Sequence, residues 1–169
     1  AKAAASHTGA MAGVDSVYEA AFARAGIVRV FEVDDLFDCA ELLARQRTPK
    51  GARLAIVTNA GGPGVMATDA LLERHGVLAK LSDESIAKLD KELPAAWSHG
   101  NPIDVLGDAP PNRIAQAVKI VLADQQVDGV LTVLSPQAMT DPTGAANAVI
   151  KAVGRSQKPV LTAWMGGNK

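Results

Sequence analysis

The sequence has little of several features that mark whole classes of protein. Its single cysteine, Cys39, excludes a disulfide framework and a cysteine-only metal site, and is compatible with a reducing cytoplasm. The formal net charge of −1 gives no overall field that would attract nucleic acid or an anionic membrane. No uninterrupted run of about 20 apolar residues is present, so no membrane span is predicted. We therefore expect a cytoplasmic protein with no nucleic-acid or membrane partner, in which any anion site is local.

Aromatic residues make up 4% of the chain, whereas alanine and glycine are frequent. This balance favours helices packed on a sheet over a β-sandwich. The 169 residues are enough to bury a core. The last predicted strand ends at Trp164, close to the end of the sequence. We therefore expect the chain to be cut from a longer polypeptide at both ends.

Apolar runs and helical periodicities alternate through the second part of the chain. The predicted strands are 53–58, 77–81, a short strand or loop within 101–108, 129–134 and 159–164. The predicted helices between them are 63–75, 82–93, 111–123 and 142–154. This alternation is typical of right-handed βαβ units, so it predicts an α/β fold with a flavodoxin-like parallel sheet and helices on both faces.

The first part of the chain predicts a shorter set of elements. Asp15 can cap a helix that Gly26 ends, and 27–31 predicts a strand before a second helix over 33–47. Proline and glycine then break the pattern. The predicted division of the chain is a first unit at 1–47, a linker at 48–52 and a sheet domain at 53–169.

A cluster of glycines follows the first predicted strand of the sheet domain. Gly61 and Gly62 suit a sharp turn, and Pro63 suits the first helical position, where its missing N–H costs nothing. A helix N-terminus presents unpaired N–H groups and the positive end of the helix dipole, so it favours an anion. The predicted phosphate-binding residues of this turn are Asn59, Gly61, Gly62, Gly64 and Val65.

The same glycines allow a dinucleotide-binding interpretation. Gly62-Pro63-Gly64-Val65-Met66-Ala67 satisfies the permissive form of the dinucleotide fingerprint, and Asp83 lies about 20 residues further on. However, Asp83 follows Ser82, which predicts a helix cap, and the form that ends in alanine is loose. Binding of NAD or FAD therefore ranks below binding of a simple phosphate and stays as an alternative.

His7 is the candidate for covalent chemistry. No apolar run hides it, and its neighbours are Ser6, Thr8 and Gly9. An imidazole can accept a phosphoryl group on nitrogen, although a solvated histidine is equally compatible with this setting. His75 and His99 suit a helix end and a loop, and the three histidines lack metal-ligand spacing, so we predict no metal site.

Four polar or glycine-bearing loops follow predicted strands, so they should meet at the carboxyl edge of the sheet. These loops are 59–64, 82–83, 101–108 and 135–141. In the third, Asn101 precedes Pro102, which favours an extended entry, and Asp104 can be a positioned carboxylate. A structural role is at least as compatible with the sequence, in which the Asp104 carboxylate accepts a hydrogen bond from the backbone of its own turn.

Several stretches together resemble the NDP-forming acyl-CoA synthetases, the relatives of succinyl-CoA synthetase and the ADP-forming acetyl-CoA synthetases. The order and spacing of the matching stretches hold over nearly the whole chain. They include Ser6-His7-Thr8-Gly9-Ala10, Tyr18-Glu19-Ala20-Ala21-Phe22, Asn59-Ala60-Gly61-Gly62-Pro63-Gly64, Asn101-Pro102-Ile103-Asp104-Val105-Leu106-Gly107-Asp108 and Pro136-Gln137-Ala138-Met139-Thr140.

The resemblance implies a role for the residues of two of these motifs. His7 occupies the position of the histidine that is phosphorylated during turnover. The glycine turn begins one of two helices whose N-termini face the phosphohistidine. Residues that could support this site are Ser6, Thr8, Gly9, Asn101 and Asp104.

The resemblance also implies the reaction of the whole enzyme. An acid, CoA and a nucleoside triphosphate form acyl-CoA, NDP and phosphate through an acyl phosphate and a phosphohistidine. CoA, ATP or GTP, and Mg²⁺ are expected for the complete enzyme, none of them held by this chain alone. The expected partners are a CoA-binding domain, an ATP-grasp domain, a small carboxylic acid and further subunits of an oligomer. The alternative is a non-catalytic regulatory module fused to an acyltransferase.

Overall fold

The computed structural model describes residues 14–166, and the chain divides between Arg45 and Gln46 into two compact units. The first unit contains helices α1 (Asp15–Ala25) and α2 (Val33–Arg45). Gly26 ends α1 with a φ of 68°, as its glycine predicts.

Two expectations for the first unit are wrong. Asp15 does not cap α1, because Val14 holds the cap position and the Asp15 carboxylate instead pairs with Arg29 at 2.6 Å. The segment 27–31 forms no strand. A strand requires a neighbour with which to share hydrogen bonds, and the described part of this unit contains only helices and loops.

The second unit is a parallel sheet with interleaved helices, which confirms the predicted flavodoxin-like α/β fold. Its strands are β1 (Arg53–Thr58), β2 (Val77–Leu78), β3 (Ile103–Asp104), β4 (Gly129–Leu134) and β5 (Val160–Trp164). Its helices are α3 (Gly61–Glu73), α4 (Asp83–Glu92), α5 (Pro111–Ala123) and α6 (Pro142–Val153). The strand order is β2-β1-β4-β5, and β3 pairs with the end of β1. Within residues 14–166, no helix is long and apolar enough to cross a membrane.

The side chain of Asn101 fills the gap between β2 and β3 along β1. β2 pairs with the first two residues of β1, and β3 pairs with the last two. Between them, Asn101 Oδ1 accepts a hydrogen bond from the Ile56 N–H at 2.9 Å. Its Nδ2 donates to the carbonyls of Leu54 and Ala79 at 3.0 and 2.9 Å. Because this side chain replaces ladder bonds, β2 is shorter than the predicted strand 77–81.

The core lies around the two central strands, β1 and β4. The last four residues of β1 and all but one residue of β4 are buried, as is expected for central strands of a parallel sheet. Helix α5 supplies five buried residues, namely Ile114, Ala115, Ala117, Val118 and Val121. Their spacing of three and four residues places them on one face of the helix, which is the pattern that predicted it.

Thr132 is the exception in this core. It lies in β4 with no exposed surface, and its hydroxyl oxygen has no hydrogen-bond partner among the described residues. Thr58, by contrast, is equally buried, and its hydroxyl donates to the Ala60 carbonyl at 2.9 Å. An unpaired buried hydroxyl destabilises a fold, whereas a paired one contributes to it.

We therefore predict opposite results for two isosteric substitutions. Thr132→Val should raise the free energy of unfolding by about 1 kcal/mol, because it removes the desolvation cost of an unpaired group. Thr58→Val should lower it by about 1 kcal/mol, because it removes a bond that is made. Urea denaturation of the two variants measures both changes, and a loss of stability in the Thr132 variant would show that its hydroxyl has a partner.

His99 links the loop after α4 to that helix. Asp90 Oδ1 accepts hydrogen bonds from Trp97 Nε1 at 2.9 Å and from His99 Nδ1 at 2.8 Å. The other ring nitrogen, Nε2, lies 3.0 Å from the Ala95 carbonyl oxygen. The Ala95 carbonyl and then the Asp90 carboxylate raise the pKa of His99 above its usual value, because both favour the protonated ring.

The raised pKa of His99 predicts the direction of a pH effect. The stabilisation should be complete below about pH 6.5, the unfolded pKa, and should be lost as the pH rises through the higher folded pKa. An NMR titration of the His99 ring should give a pKa above about 6.5, and Asp90→Asn should lower it. A midpoint at or below the free value in the unmodified chain would refute the assigned contacts.

Candidate anion-binding site

Three loops meet at the carboxyl edge of the sheet, after β1, β3 and β4. The side chain of Asn59 joins the first loop to the third, because its Nδ2 donates to the Ser135 carbonyl and its Oδ1 accepts from the Ser135 N–H, both at 2.8 Å. Gln137 Nε2 also donates to the Asn59 carbonyl at 3.1 Å. The structure thus brings 59–64, 101–108 and 135–141 together, as the sequence predicts.

The fourth predicted loop, 82–83, lies elsewhere. The Ser82 N–H and hydroxyl donate to Asp124 Oδ2 at 2.8 and 2.9 Å, and Asp124 precedes β4 at the amino edge of the sheet. The expectation that this loop joins the others is wrong, because β2 pairs with the beginning of β1 rather than its end. Asp83 therefore does not lie beside the glycine turn, which removes the acidic residue of the dinucleotide interpretation.

Helix α3 begins differently from the other helices of the second unit. Ser82 caps α4, and Asp141 caps α6 by accepting from the Gly144 N–H at 2.9 Å. Pro110 and Pro111, which have no N–H, begin α5. Ala60 precedes α3 without any side-chain cap, and the first turn of α3 contains no acidic residue. Its first backbone donors are therefore available to an anion.

The three glycines of α3 differ in their surroundings. A Cβ placed on Gly62 would meet no atom within 4 Å, whereas one on Gly61 would lie 3.3 Å from Asp104 Oδ2. A Cβ on Gly64 would lie 2.9 Å from Thr58 Cγ2, and the Gly64 N–H donates to the Ala60 carbonyl. Gly61 and Gly62 are thus the exposed start of the helix, while Gly64 allows the helix to pack closely on β1. Pro63 is the third residue of α3, so the prediction that it is the first is wrong.

Other predicted site residues also have structural contacts. The amide groups of Asn59 and Asn101 are both used to hold strands and loops together, as described above. Asn59 is 2% exposed, so its side chain positions the turn and does not face outward. Val65 lies one turn along α3 with 57% of its surface exposed.

Asp104 borders the start of α3. Its Oδ1 accepts from the Leu106 N–H at 2.9 Å, the bond to its own turn that the sequence allows. Its Oδ2 lies next to Gly61, where the helix dipole favours a negative group. Asp108 instead pairs with Arg113 at 2.7 Å. Because like charges repel, an anion bound at this turn would lie on the side away from the Asp104 carboxylate.

The residues of the histidine motif lie outside the described residues. These are Ser6, His7, Thr8 and Gly9. For residues 14–166, no group of three or more His, Cys, Asp or Glu side chains could hold a metal ion. The contributions of Thr58, Ser135 and Gln137 are absent from the sequence-based site, although Gln137 belongs to one of the motifs that carry the resemblance.

Two family models match this chain. The model of the succinyl-CoA ligase like flavodoxin domain matches residues 1–43. The model of the Ligase-CoA domain matches residues 54–167, which is more than half of the chain.

Curated relatives match nearly the whole chain. An ADP-forming acetate–CoA ligase I from Archaeoglobus fulgidus is 45% identical over 99% of this chain and 23% of its own length. The alpha subunit of an ADP-forming acetate–CoA ligase I from Pyrococcus furiosus is 37% identical over 99% of this chain and 36% of its own length. An ADP-forming 4-hydroxybutyrate–CoA ligase from Nitrosopumilus maritimus is 34% identical over 98% of this chain and 24% of its own length. The chain therefore spans about a quarter to a third of these relatives.

A solved structure agrees with these matches. The dinucleotide forming acetyl-coenzyme A synthetase 1 of Ca. Korarchaeum cryptofilum, in complex with phosphate and ADP, resembles this chain with a TM-score of 0.89 and 36% identity. The match covers 99% of this chain and 36% of that chain. Since the fold, the motifs and the family models agree, this chain belongs to the NDP-forming acyl-CoA synthetases as a fragment that contains their Ligase-CoA domain.

Proposed function

We propose that this chain is the part of an ADP-forming acid–CoA ligase that carries the phosphorylated histidine and one of the helices that stabilise the phosphate. The complete enzyme would interconvert a small carboxylic acid, CoA and ATP with acyl-CoA, ADP and phosphate. The observation that carries the proposal is the uncapped N-terminus of α3, with exposed Gly61 and Gly62, in a Ligase-CoA domain.

The chemistry of a phosphohistidine explains why such a helix end is needed. In the direction of acyl-CoA formation, a carboxylate oxygen bonds to phosphorus as the bond from phosphorus to the His7 nitrogen breaks, which gives an acyl phosphate. The CoA thiol then forms the thioester as phosphate leaves. Backbone N–H groups that already point at the phosphoryl oxygens stabilise their charge without rearrangement. Gly61 and Gly62 would supply these donors.

The remaining sites would lie outside this chain. We propose that CoA binds to a preceding domain and that the nucleotide and Mg²⁺ bind to an ATP-grasp domain, in the same polypeptide or on a partner subunit of an oligomer. The relative from Pyrococcus furiosus is itself named as an alpha subunit. The 169 residues alone should therefore not turn over. A cytoplasmic location belongs to the same proposal and is supported by the single Cys39.

The alternatives receive less support. The relatives described above are named as ligases rather than acyltransferases, which favours catalysis over a regulatory module. A site for NAD or FAD would need an acidic residue near the glycine turn. Asp83 does not lie there, because the neighbouring Ser82 is hydrogen-bonded to Asp124. A lack of saturable binding of NAD or FAD at millimolar concentration would dispose of that alternative.

The role of His7 predicts a specific modification. The complete ligase, incubated with labelled ATP and Mg²⁺, should give a phosphoprotein that is labile in acid and stable in base, because the phosphate is bound to nitrogen. His7→Ala should abolish the label, whereas His75→Ala, on an exposed helix end, should retain it. Equal labelling of the His7→Ala protein would refute the proposed function.

The role of Gly62 predicts a difference between two substitutions of equal size. Gly62→Asp places a carboxylate where the phosphate should bind, while Gly62→Asn adds the same volume without charge. The open space around Gly62 should accept both side chains, and an aspartate here should stabilise α3 by about 0.3–1 kcal/mol.

The level of phosphohistidine in the complete ligase measures the outcome. We expect it to fall by about tenfold in Gly62→Asp and by less than about twofold in Gly62→Asn, with both proteins folded by circular dichroism. Equal levels in the two variants would show that the start of α3 does not bind the phosphate.

A further inference from the structure

The side chain of Gln137 is hydrogen-bonded to the turn before α3 from a different loop. It lies in the loop after β4, and its Nε2 donates to the Asn59 carbonyl at 3.1 Å. Its backbone N–H donates to Thr140 Oγ1 at 3.0 Å, which fixes the loop from which the side chain extends. The carboxamide therefore connects the third loop of the site to the residue that precedes Ala60.

Gly107, in the loop after β3, lies directly against the side chain of Gln137. A Cβ placed on Gly107 would overlap the carboxamide of Gln137. An alanine at position 107 would therefore require the exposed side chain of Gln137 to move. Gln137 thus contacts the loops after β1 and β3 from its own loop after β4.

The contact with Gln137 supplies a hydrogen bond to the carbonyl of a nearly buried residue. Asn59 is 2% exposed, and its side chain is already bonded to Ser135. Without Gln137, a nearly buried carbonyl would lose its side-chain donor, and the turn could rotate to find another. Such a rotation would change the direction of the Gly61 and Gly62 N–H groups, since only the Ala60 peptide separates them from Asn59.

We propose that Gln137 is a positioning residue for the phosphoryl group, acting through Asn59 on the first turn of α3. This proposal rests on the proposed function of that turn. Gln137 itself is exposed and belongs to no part of the buried core, so its loss should disturb the site more than the fold. Small errors in the direction of catalytic donors lower the rate even where binding of the substrates is unchanged.

The test uses Gln137→Met in the complete ligase, because methionine has a similar length but no N–H donor. Met139→Leu is the matched control, since Met139 is 76% exposed in the same loop. We expect Gln137→Met to lower kcat by about tenfold while the KM for ATP and the melting temperature stay close to those of Met139→Leu. A purely structural residue would instead lower the melting temperature and leave kcat per folded molecule unchanged.

A second measurement does not depend on activity. In the 169-residue chain, Gln137→Met should shift the backbone amide resonances of Gly61 and Gly62, whereas Met139→Leu should not. Unchanged resonances at Gly61 and Gly62, or a kcat equal to that of the control, would overturn the role of Gln137. His7→Ala is run in parallel. If the His7→Ala protein still becomes phosphorylated, the proposed function fails. If His7→Ala abolishes phosphorylation but Gln137→Met has the kcat and resonances of the control, only the inference about Gln137 fails.

Discussion

Helix α3 begins with backbone donors that no side chain of residues 14–166 caps. Every N-terminus of a helix needs partners for its first N–H groups. Serine and aspartate side chains supply them at α4 and α6, and at α5 two prolines reduce the need. At α3, Gly61 and Gly62 leave the position open instead. An anion bound here would stabilise the helix, which is how the proposed function would depend on the local structure of this turn.

The turn is held in place by side chains rather than by the helix itself. Thr58 closes it through the Ala60 backbone, Asn59 ties it to the end of β4, and Gln137 binds it from the loop beyond. Gly64 allows α3 to pack on β1 beside Thr58. Because these contacts come from the sheet and from neighbouring loops, they fix the direction of the donors without any ligand. This is the arrangement in which donors stabilise developing charge most effectively.

Local sequence patterns predict the helices and strands that have a clear apolar face or a continuous apolar run. Helix α5 and strand β4 have the predicted bounds, because one has a clear apolar face and a proline at its start, and the other is a continuous apolar run. Local patterns do not predict a strand correctly where its formation depends on hydrogen bonds to a distant part of the chain. The segment 27–31 is apolar but forms no strand, and β2 is short because the Asn101 side chain takes its place beside β1.

The same distinction applies to the site. A helix that begins after β1 at the glycine cluster is predictable, because strand, glycines and helix follow one another within a few residues, although the helix begins at Gly61 and not at Pro63. The contact between Asn59 and Ser135 joins residues 76 positions apart, so no short motif reveals that the Asn59 side chain is buried against the loop after β4. The loop at Ser82 follows a strand as the others do, yet it lies at the opposite edge because of the register of β2. Register and long-range hydrogen bonds are properties of the folded sheet.

The most direct test of the anion site is a titration of the 169-residue chain, labelled with ¹⁵N, with inorganic phosphate. The backbone amide resonances of Gly61 and Gly62 should shift and saturate, by more than they do with chloride at the same ionic strength. The amides of Ser85 and Gly144, which are already bonded to the caps of α4 and α6, should stay in place. If Gly61 and Gly62 shift no more than Ser85 and Gly144, the start of α3 does not bind phosphate, which would contradict the role proposed for this turn.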